Sequence, residues 1–409
     1  MRKISQKKMN RTGNVIICPD KFKGGLSSDK VASAIKAGLE RCLPDSDIQT
    51  VEMADGGDGS AALFRKLCAS REISLSSIGP LGEEVETSYM LCDGPSALSS
   101  GPAAFIECAR ICGLEMVPKG LRNPLKTTTF GLGQLVVDAV RRGAETICVG
   151  LGGSATNDCG TGMLQGMGFR LGLPSGVKAT GGTLSLIASV EEMEDVAMKE
   201  RLSRTKFIII NDVDNPLLGP LGATYVYSGQ KGADRQAMDR MENDMTGLLG
   251  RIGNSFLSKA TAKDDALCPG AGAAGGLGFA FLHFLGAESV SGFDFFGEKL
   301  QGLSQKIAEA DIVITGEGSV DAQSLMGKVV GGCCSSLAKC IDASDKHLWL
   351  ICGKSCLDPK DVASRCGTSN VKIFQLSDIE PDINIRIKNE YPLLVRLAYG
   401  AAKELDTTL

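Results

Sequence analysis

Short apolar runs alternate along this chain with amphipathic stretches and with polar turns rich in glycine. The run NVIICPD (14–20) predicts a strand, and residues 27–41 predict a helix because their apolar positions recur at helical spacing behind a serine N-cap. Residues 48–59 predict a second strand that runs into a glycine-rich turn, and 60–69 continue as a helix. Two successive strand-loop-helix units favour a parallel sheet.

The middle of the chain has a different pattern. Residues 87–91 and 103–107 predict strands with no long helix between them, which favours an antiparallel or mixed sheet. Regular alternation returns in the C-terminal third. The other predicted strands are 146–149, 206–210, the first part of 310–324, 347–353 and 371–376, and the other predicted helices are 128–142, 234–257, a segment ending near 339, and 391–404.

Similar β-loop-α units therefore flank a different central region. The pattern predicts an α/β protein of two α/β domains, consistent with a length of 409 residues. The first is a Rossmann-like parallel-sheet domain built from both chain ends (1–80 plus 288–409), and the second is an inserted mixed-sheet α/β domain (81–287).

Composition excludes several classes of protein. The formal net charge is −4 and charged residues make up 22% of the chain, so there is no basic nucleic-acid footprint. No apolar stretch is long enough to span a membrane, and the basic start of the chain lacks the apolar core of a secretory signal. We therefore expect a cytoplasmic protein with no nucleic-acid or membrane partner.

Cysteine and histidine usage narrows the chemistry. The fifteen cysteines form no CxxC pair and many lie in apolar runs, which is typical of buried thiols in a reducing compartment. Only two histidines are present. A structural zinc site and a histidine-dependent nucleophile are therefore disfavoured.

Five predicted strands end in turns that carry glycine beside carboxylate or hydroxyl groups. Ligands of open parallel sheets bind just beyond the carboxyl ends of the strands, so these turns predict a ligand site. The five turns are CPDKFKGGLSS, MADGGDGS, GLGGSATND, INDVDNPL and ITGEGSVDAQS.

The composition of these turns indicates the ligand. Glycine-rich turns at helix starts offer free amides to a phosphate. Aspartates repel a phosphate unless a cation lies between, and Mg²⁺ is commonly bound by one or two carboxylates together with substrate phosphates. Lys21, Lys23 and Lys328 could neutralise further charge. The simplest matching reaction is phosphoryl transfer from a nucleotide to a hydroxyl group.

Other functions stay open at this level. The Walker A pattern is absent, which disfavours a P-loop kinase. Gly270 to Gly275 match G-x-G-x-x-G, but DDALCP precedes them where a dinucleotide site has a strand. An NAD-dependent oxidoreductase of a small hydroxy acid and a non-catalytic sensor of a phosphorylated ligand are the alternatives.

Seven motifs, taken together, resemble the bacterial-type (type II) glycerate kinase family in order and spacing, over roughly residues 15–347. Cys18 and Lys21 stand where that family usually has alanine and serine. The motifs are CPDKFKGGLSS, ADGGDGS, NPLKTTTFGLGQL, GLGGSATNDCGTGMLQGMG, NDVDNPLLGPLGA, PGAGAAGGLGFAF and TGEGSVDAQSLMGK.

The resemblance implies transfer of the ATP γ-phosphoryl group to D-glycerate with Mg²⁺. Members of the family mostly form 2-phosphoglycerate, and phosphorylation at the 3-hydroxyl is the alternative. The resemblance also implies an active site in a cleft between the two domains. We expect D-glycerate and ATP as the small-molecule substrates, and a monomer or homodimer.

The same resemblance suggests roles for individual residues, each weighed against helix capping or turn formation. Which loop holds ATP and which holds glycerate stays open. The candidates are Lys23, Asp58, Asp158 and Asp212 for catalysis, with Asp58 and Asp212 also for the metal, and Gly152, Gly153, Ser154, Thr156, Gly272, Ala273, Gly275, Glu317 and Asp321 for binding ATP or lining the cleft.

Overall fold

The structure is a computed structural model that describes residues 13–252, 261–326 and 328–406. The basic start of the chain and the last part of the predicted helix 234–257 lie outside the described residues. The described chain forms two compact units. The first unit contains the described residues up to Ala54 and from Gly292 onward, and the second contains those from Asp55 to Ser291.

The strands of both units follow the predicted apolar runs, with additional short strands. In chain order they are β1 (Asn14–Pro19), β2 (Asp47–Thr50), β3 (Arg71–Ile78), β4 (Glu84–Cys92), β5 (Ala103–Glu107), β6 (Thr146–Gly150), β7 (Lys206–Ile210), β8 (Glu288–Val290), β9 (Ile312–Gly316), β10 (Ser319–Val320), β11 (His347–Cys352), β12 (Lys354–Ser355) and β13 (Val371–Gln375).

The α-helices connect these strands and cover the sheets. They are α1 (Ser28–Leu39), α2 (Ser60–Cys68), α3 (Ala109–Cys112), α4 (Phe130–Arg141), α5 (Thr161–Met167), α6 (Val196–Arg204), α7 (Ala223–Tyr227), α8 (Arg235–Leu249), α9 (Ala262–Leu267), α10 (Leu277–Leu285), α11 (Leu303–Glu309), α12 (Val329–Ala338), α13 (Pro359–Cys366), α14 (Ile383–Lys388) and α15 (Glu390–Asp406).

The first unit is built on a five-stranded parallel sheet in the order β13-β11-β9-β1-β2. Both faces of β1 are buried: Val15 and Ile17 pack with α1 and α15, whereas Ile16 and Cys18 pack with α11, α12 and α13. Because helices cover both faces, the strand reads as a continuous apolar run without alternation. The predicted Rossmann-like unit from both chain ends is confirmed.

The second unit is built on a six-stranded sheet in the order β3-β4-β5-β6-β7-β8. The pairs β3–β4 and β4–β5 are antiparallel, whereas β5 to β8 are parallel. This confirms the predicted mixed sheet. The aromatic rings of Phe64 on α2 and Phe105 on β5 stack with their centroids 5.0 Å apart, which fixes α2 against this sheet.

The first division between the units differs from the expected one. The compact unit ends at Ala54 rather than at residue 80. Helix α2 packs against β4 and β5, and β3 pairs with β4, so the segment 60–78 belongs to the mixed sheet. The second division lies after Ser291, four residues from the expected position.

Two general features of the described chain bear on the earlier expectations. All fifteen cysteines are free thiols and most of them are buried. Among the described helices, none has the length and apolar character needed to cross a bilayer.

Candidate active site

A cavity of about 320 Å³ in the second unit is lined by residues that follow β6 and β7. Five of the residues predicted from sequence lie on its wall: Gly152, Gly153, Ser154, Asp212 and Ala273. The complete lining is Asp55, Leu114, Leu151, Gly152, Gly153, Ser154, Asn211, Asp212, Val213, Tyr227, Gln230, Lys231, Ala273 and Ala274.

Glycine is required on this wall because two backbones touch there. The N–H of Gly152 donates to the carbonyl oxygen of Gly56 at 3.2 Å. A Cβ atom on Gly152 would lie 2.4 Å from the Cα of Gly57, and one on Gly150 would lie 2.3 Å from the Gly56 oxygen. The two glycine-rich turns MADGGDGS and GLGGSATND therefore meet directly, and neither accepts a side chain at the contact.

The turn from Gly153 to Ser154 lies on the wall of the cavity. Gly153 has a φ of +75°, which favours glycine. Its carbonyl oxygen accepts from the N–H of Leu114 at 2.7 Å. Within the described ranges, the N–H groups of Gly153 and Ser154 donate to no protein acceptor. Paired free amides of this kind form anion-binding concavities.

Lys231 also lines this cavity, and our sequence analysis missed it. Its side chain is buried, and the ammonium nitrogen Nζ donates to Ser154 Oγ at 3.0 Å and to the Thr156 carbonyl oxygen at 2.7 Å. Burial lowers the pKa of Lys231 to about 8. The only local signal is its position in the short turn SGQKGAD, where Gly232 has a φ of +96°.

Two carboxylates, Asp55 and Asp212, lie on the wall of this cavity. One oxygen of Asp55 accepts from the Gly57 N–H at 3.0 Å. Asp58, predicted together with Asp212 for catalysis and the metal, is exposed and does not line this cavity, so its role stays a prediction. Asp55, three residues earlier in the same turn, lines the cavity instead.

Asp55 and Asp212 are a reasonable donor set for Mg²⁺. No group of three or more histidine, cysteine or acidic side chains able to hold a metal occurs in the part of the chain that the structure describes. Mg²⁺ does not require such a cage, because it commonly uses one or two carboxylates and completes its shell with water and phosphate oxygens. Two carboxylates beside amides that can hold a phosphate agree with this mode of Mg²⁺ binding.

Asp158 does not line this cavity. Its side chain is fully buried and accepts four hydrogen bonds: from the N–H and Oγ1 of Thr129, both at 2.8 Å, and from the N–H groups of Gly160 and Gly162 at 3.1 and 3.2 Å. Burial raises the pKa of this carboxyl group. These hydrogen bonds hold the start of α5 against Thr129, and the catalytic role of Asp158 stays a prediction.

Most of the remaining predicted residues of the second unit contact other parts of the chain and do not line the cavity. Thr156 is fully buried, and its carbonyl oxygen accepts from Lys231. A Cβ atom on Gly272 would lie 2.3 Å from the Pro216 oxygen, and one on Gly275 would lie 2.1 Å from the Thr156 oxygen. These two glycines serve packing within the chain, and only Ala273 of the three predicted positions lines the cavity.

The dinucleotide interpretation of Gly270 to Gly275 finds no support here. The motif follows helix α9 rather than a strand, so it does not form the strand-turn-helix of a dinucleotide site. Its glycines contact neighbouring loops of the same chain.

A second cavity, of about 360 Å³, lies in the first unit and contains the predicted residues Lys23 and Glu317. Atom Oε1 of Glu317 is buried and has no hydrogen-bond partner among the described residues. The full lining is Lys21, Phe22, Lys23, Glu317, Gly318, Ser319, Gly353, Lys354, Leu376, Ile383, Arg386, Ile387 and Glu390.

Asp321 does not line the cavity of the first unit. Its side chain accepts from the N–H groups of Gln323 and Ser324 at 2.8 and 3.2 Å, in a reciprocal capping box. It therefore caps the short 3₁₀ helix 322–325, which is the alternative that the sequence left open. Lys328 stands at the N-cap of α12, also outside this cavity.

The predicted location of the active site in an interdomain cleft stays a prediction.

Comparison with known proteins places these features in context. Residues 15–405 match the sequence model of the glycerate kinase family. A glycerate 2-kinase of Escherichia coli K12 is 37% identical over 77% of this chain and 79% of its own length. A glycerate kinase of Bacillus subtilis is 39% identical over 77% of this chain and 79% of its own length.

The fold comparison agrees. A crystal structure of a candidate glycerate kinase 2 from Salmonella typhimurium LT2 superposes with a TM-score of 0.74 at 32% identity, covering 97% of this chain and 99% of that one. The sequence match spans nearly all of the described residues, and the structural match extends over both compact units. The chain therefore belongs to the glycerate kinase family.

Proposed function

We propose that this glycerate kinase transfers the γ-phosphoryl group of ATP to the 2-hydroxyl of D-glycerate, forming 2-phosphoglycerate and ADP. Membership of the family establishes a kinase that acts on glycerate. The name of the E. coli relative, glycerate 2-kinase, supports the position. The observation that carries the proposal is the cavity of the second unit, where free amides, an ammonium group and two carboxylates line one wall.

We assign these groups different roles in phosphoryl transfer. The amides of Gly153 and Ser154 provide fixed donors for phosphate or transferred oxygens, and such preorganised donors supply most of the stabilisation in this class of reaction. Asp212 is the residue we assign to orienting the acceptor hydroxyl or accepting its proton. It lies two residues after the end of β7, which keeps its backbone close to a buried strand.

Mg²⁺ is part of the proposal. When bound, it supplies positive charge that neutralises the transferring phosphoryl group. Asp55 and Asp212 are the residues that would hold it. Lys23, as a catalytic residue, and Glu317, as an ATP-binding residue, stay part of the proposal, and both line the cavity of the first unit.

The test is direct. Purified protein is incubated with ATP, Mg²⁺ and D-glycerate, ADP release is followed, and phosphorus NMR identifies the phosphoglycerate isomer. ADP formation with 2-phosphoglycerate as the product supports the proposal. A 3-phosphoglycerate product would overturn the position while leaving the kinase activity intact.

Two controls separate the alternative functions. Omission of D-glycerate should reduce ADP release to background, and omission of Mg²⁺ should do the same. Binding of 2-phosphoglycerate without any turnover would favour a sensor. A nicotinamide-dependent change in absorbance with a small hydroxy acid would favour the oxidoreductase.

A further inference from the structure

Lys231 lies on the wall of the second unit's cavity, and one N–H donor of its ammonium group has no acceptor among the described residues. Only 3% of this residue is exposed to solvent, yet it lines the cavity beside Gly153 and Ser154. Its Nζ donates to Ser154 Oγ and to the Thr156 carbonyl oxygen, both of them neutral acceptors. An ammonium group has three N–H donors, so one is left for a group that enters the cavity.

The charge of Lys231 also lacks a direct counter-ion. No carboxylate forms an ion pair with it in the ranges 13–252, 261–326 and 328–406. The carboxylate that acts on it electrostatically, Asp158, already accepts hydrogen bonds from four other donors. A buried charge without a paired partner is unfavourable, and an incoming anion would remove that penalty.

We propose that Lys231 holds an anionic oxygen of a substrate, the carboxylate of glycerate or a phosphate of ATP, together with the free amides of Gly153 and Ser154. This proposal rests on the proposed function for the identity of the two substrates. The three groups lie on one stretch of wall, because Lys231 is hydrogen-bonded to Ser154 itself. The arrangement provides charge and directional donors without a Walker lysine inside the loop.

The first experiment measures binding rather than turnover, so it remains informative if the chemistry differs. Calorimetry gives the Kd of D-glycerate and of Mg²⁺-ATP for the wild-type protein, Lys231→Met and Lys231→Arg. We expect Lys231→Met to weaken one of the two ligands about tenfold or more, because a charge-assisted hydrogen bond is lost. Weaker glycerate binding assigns the carboxylate, and weaker ATP binding assigns the phosphate.

Matched controls show whether the effect is specific. Lys263→Met removes an exposed lysine from α9 of the same unit and should leave both Kd values unchanged. Lys231→Arg keeps the positive charge and should recover part of the lost affinity. Equal affinities of Lys231→Met and wild type for both ligands would overturn the proposal, as would the absence of binding to the wild-type protein.

A second experiment does not depend on folding of the Lys231→Met variant. The charged and titratable groups around Lys231 are Asp55, Cys108, Cys112, Asp158, Asp212 and Tyr227. Burial lowers the pKa of Lys231 to about 8 and raises the pKa of Tyr227. The side-chain hydrogen bond with Cys108, together with burial, raises the pKa of Cys112. The wild-type affinity for the ligand that Lys231 holds should therefore fall as the pH rises through about 8, where the free protein loses the ammonium charge.

Two variants assign that pH dependence. Lys231→Arg should abolish the decline, because a guanidinium group stays protonated throughout this range. Cys108→Ser should keep it. A flat wild-type affinity between about pH 7 and about pH 9, in a range that brackets the shifted lysine pKa, would overturn the proposal. Failure to detect ADP from ATP and glycerate would instead count against the proposed function alone.

Discussion

The two cavities are lined by different kinds of chemical group, although both lie beyond the carboxyl ends of parallel strands. In the second unit, the wall consists largely of loop backbone, with glycines where two loops touch and one buried lysine behind them. In the first unit, six of the thirteen lining residues carry long charged side chains, including Lys21, Lys23, Lys354 and Arg386. Lys21 and Lys23 are exposed to solvent.

This contrast separates fixed from adjustable recognition. Loop backbones that touch each other can shift little, so the free amides of Gly153 and Ser154 are held in place before a ligand arrives. Exposed lysines must lose side-chain rotamer freedom when they bind. We therefore expect substitutions of the touching glycines in the second unit's wall to affect folding and activity together, and substitutions of the exposed lysines in the first unit's wall to affect ligand affinity alone.

The largest effect is expected for Asp158→Ala in the second unit. Four buried donors would lose their acceptor, so the free energy of unfolding should fall by about 4 kcal/mol or more. Chemical denaturation measures this loss. A change close to that of an exposed aspartate would show that the four hydrogen bonds do not hold the loop.

Gly152→Ala comes next. Its Cβ atom would lie 2.4 Å from the Cα of Gly57, so the two turns must separate, at a cost of about 3 kcal/mol with loss of turnover. The matched control is Gly318→Ala in the first unit's cavity, where the nearest atoms lie at 3.4 Å. The control should change stability by less than about 0.5 kcal/mol. Similar losses in both variants would erase the contrast between the two cavities.

Asp212→Asn tests chemistry rather than packing. We expect turnover to fall about tenfold or more, equivalent to about 1.4 kcal/mol in the barrier, while the melting temperature is unchanged. Asp58→Asn is the control, because Asp58 is exposed and lies outside the cavity lining. Near-normal turnover of Asp212→Asn would remove this carboxylate from the mechanism.

The smallest effect is expected for Asp321→Ala in the first unit. The variant loses a helix cap that accepts from Gln323 and Ser324, which lowers the free energy of unfolding by about 1 kcal/mol. ATP and glycerate affinities should stay at wild-type values. A large loss of ligand affinity without loss of stability would return Asp321 to the binding site.

The fold could be predicted where local pattern and tertiary role agree. Residues 14–20 and 347–353 read as buried strands because helices cover both faces of the parallel sheet. Strand β3 was missed although its sequence, REISLSSI, alternates apolar residues with serines, the pattern of a half-buried strand. It pairs with β4 along its whole length. Its existence depends on that pairing more than on its own composition.

The candidate site was less predictable because burial decides it. Asp58 and Asp55 belong to the same acidic turn, and only the packing of Gly56 and Gly57 determines which of them reaches the cavity wall. Lys231 follows no periodic pattern, and its hydrogen-bond partners lie 77 and 75 residues earlier in the chain. Sequence can identify loops that bear suitable chemistry, but three-dimensional packing selects the side chain that is used.

The position of β1 at the inside of its sheet has a consequence for how the protein is made. Val15 pairs with Ile48 on one side and with Ile312 on the other. At about 5–20 residues per second, the ribosome needs roughly 15–60 s to reach β9 after completing β1. During that time one edge of β1 has no partner, and all strands of the second unit are synthesised before β9. An interrupted copy therefore carries an open strand edge, the feature by which quality-control proteins can distinguish it from the finished enzyme.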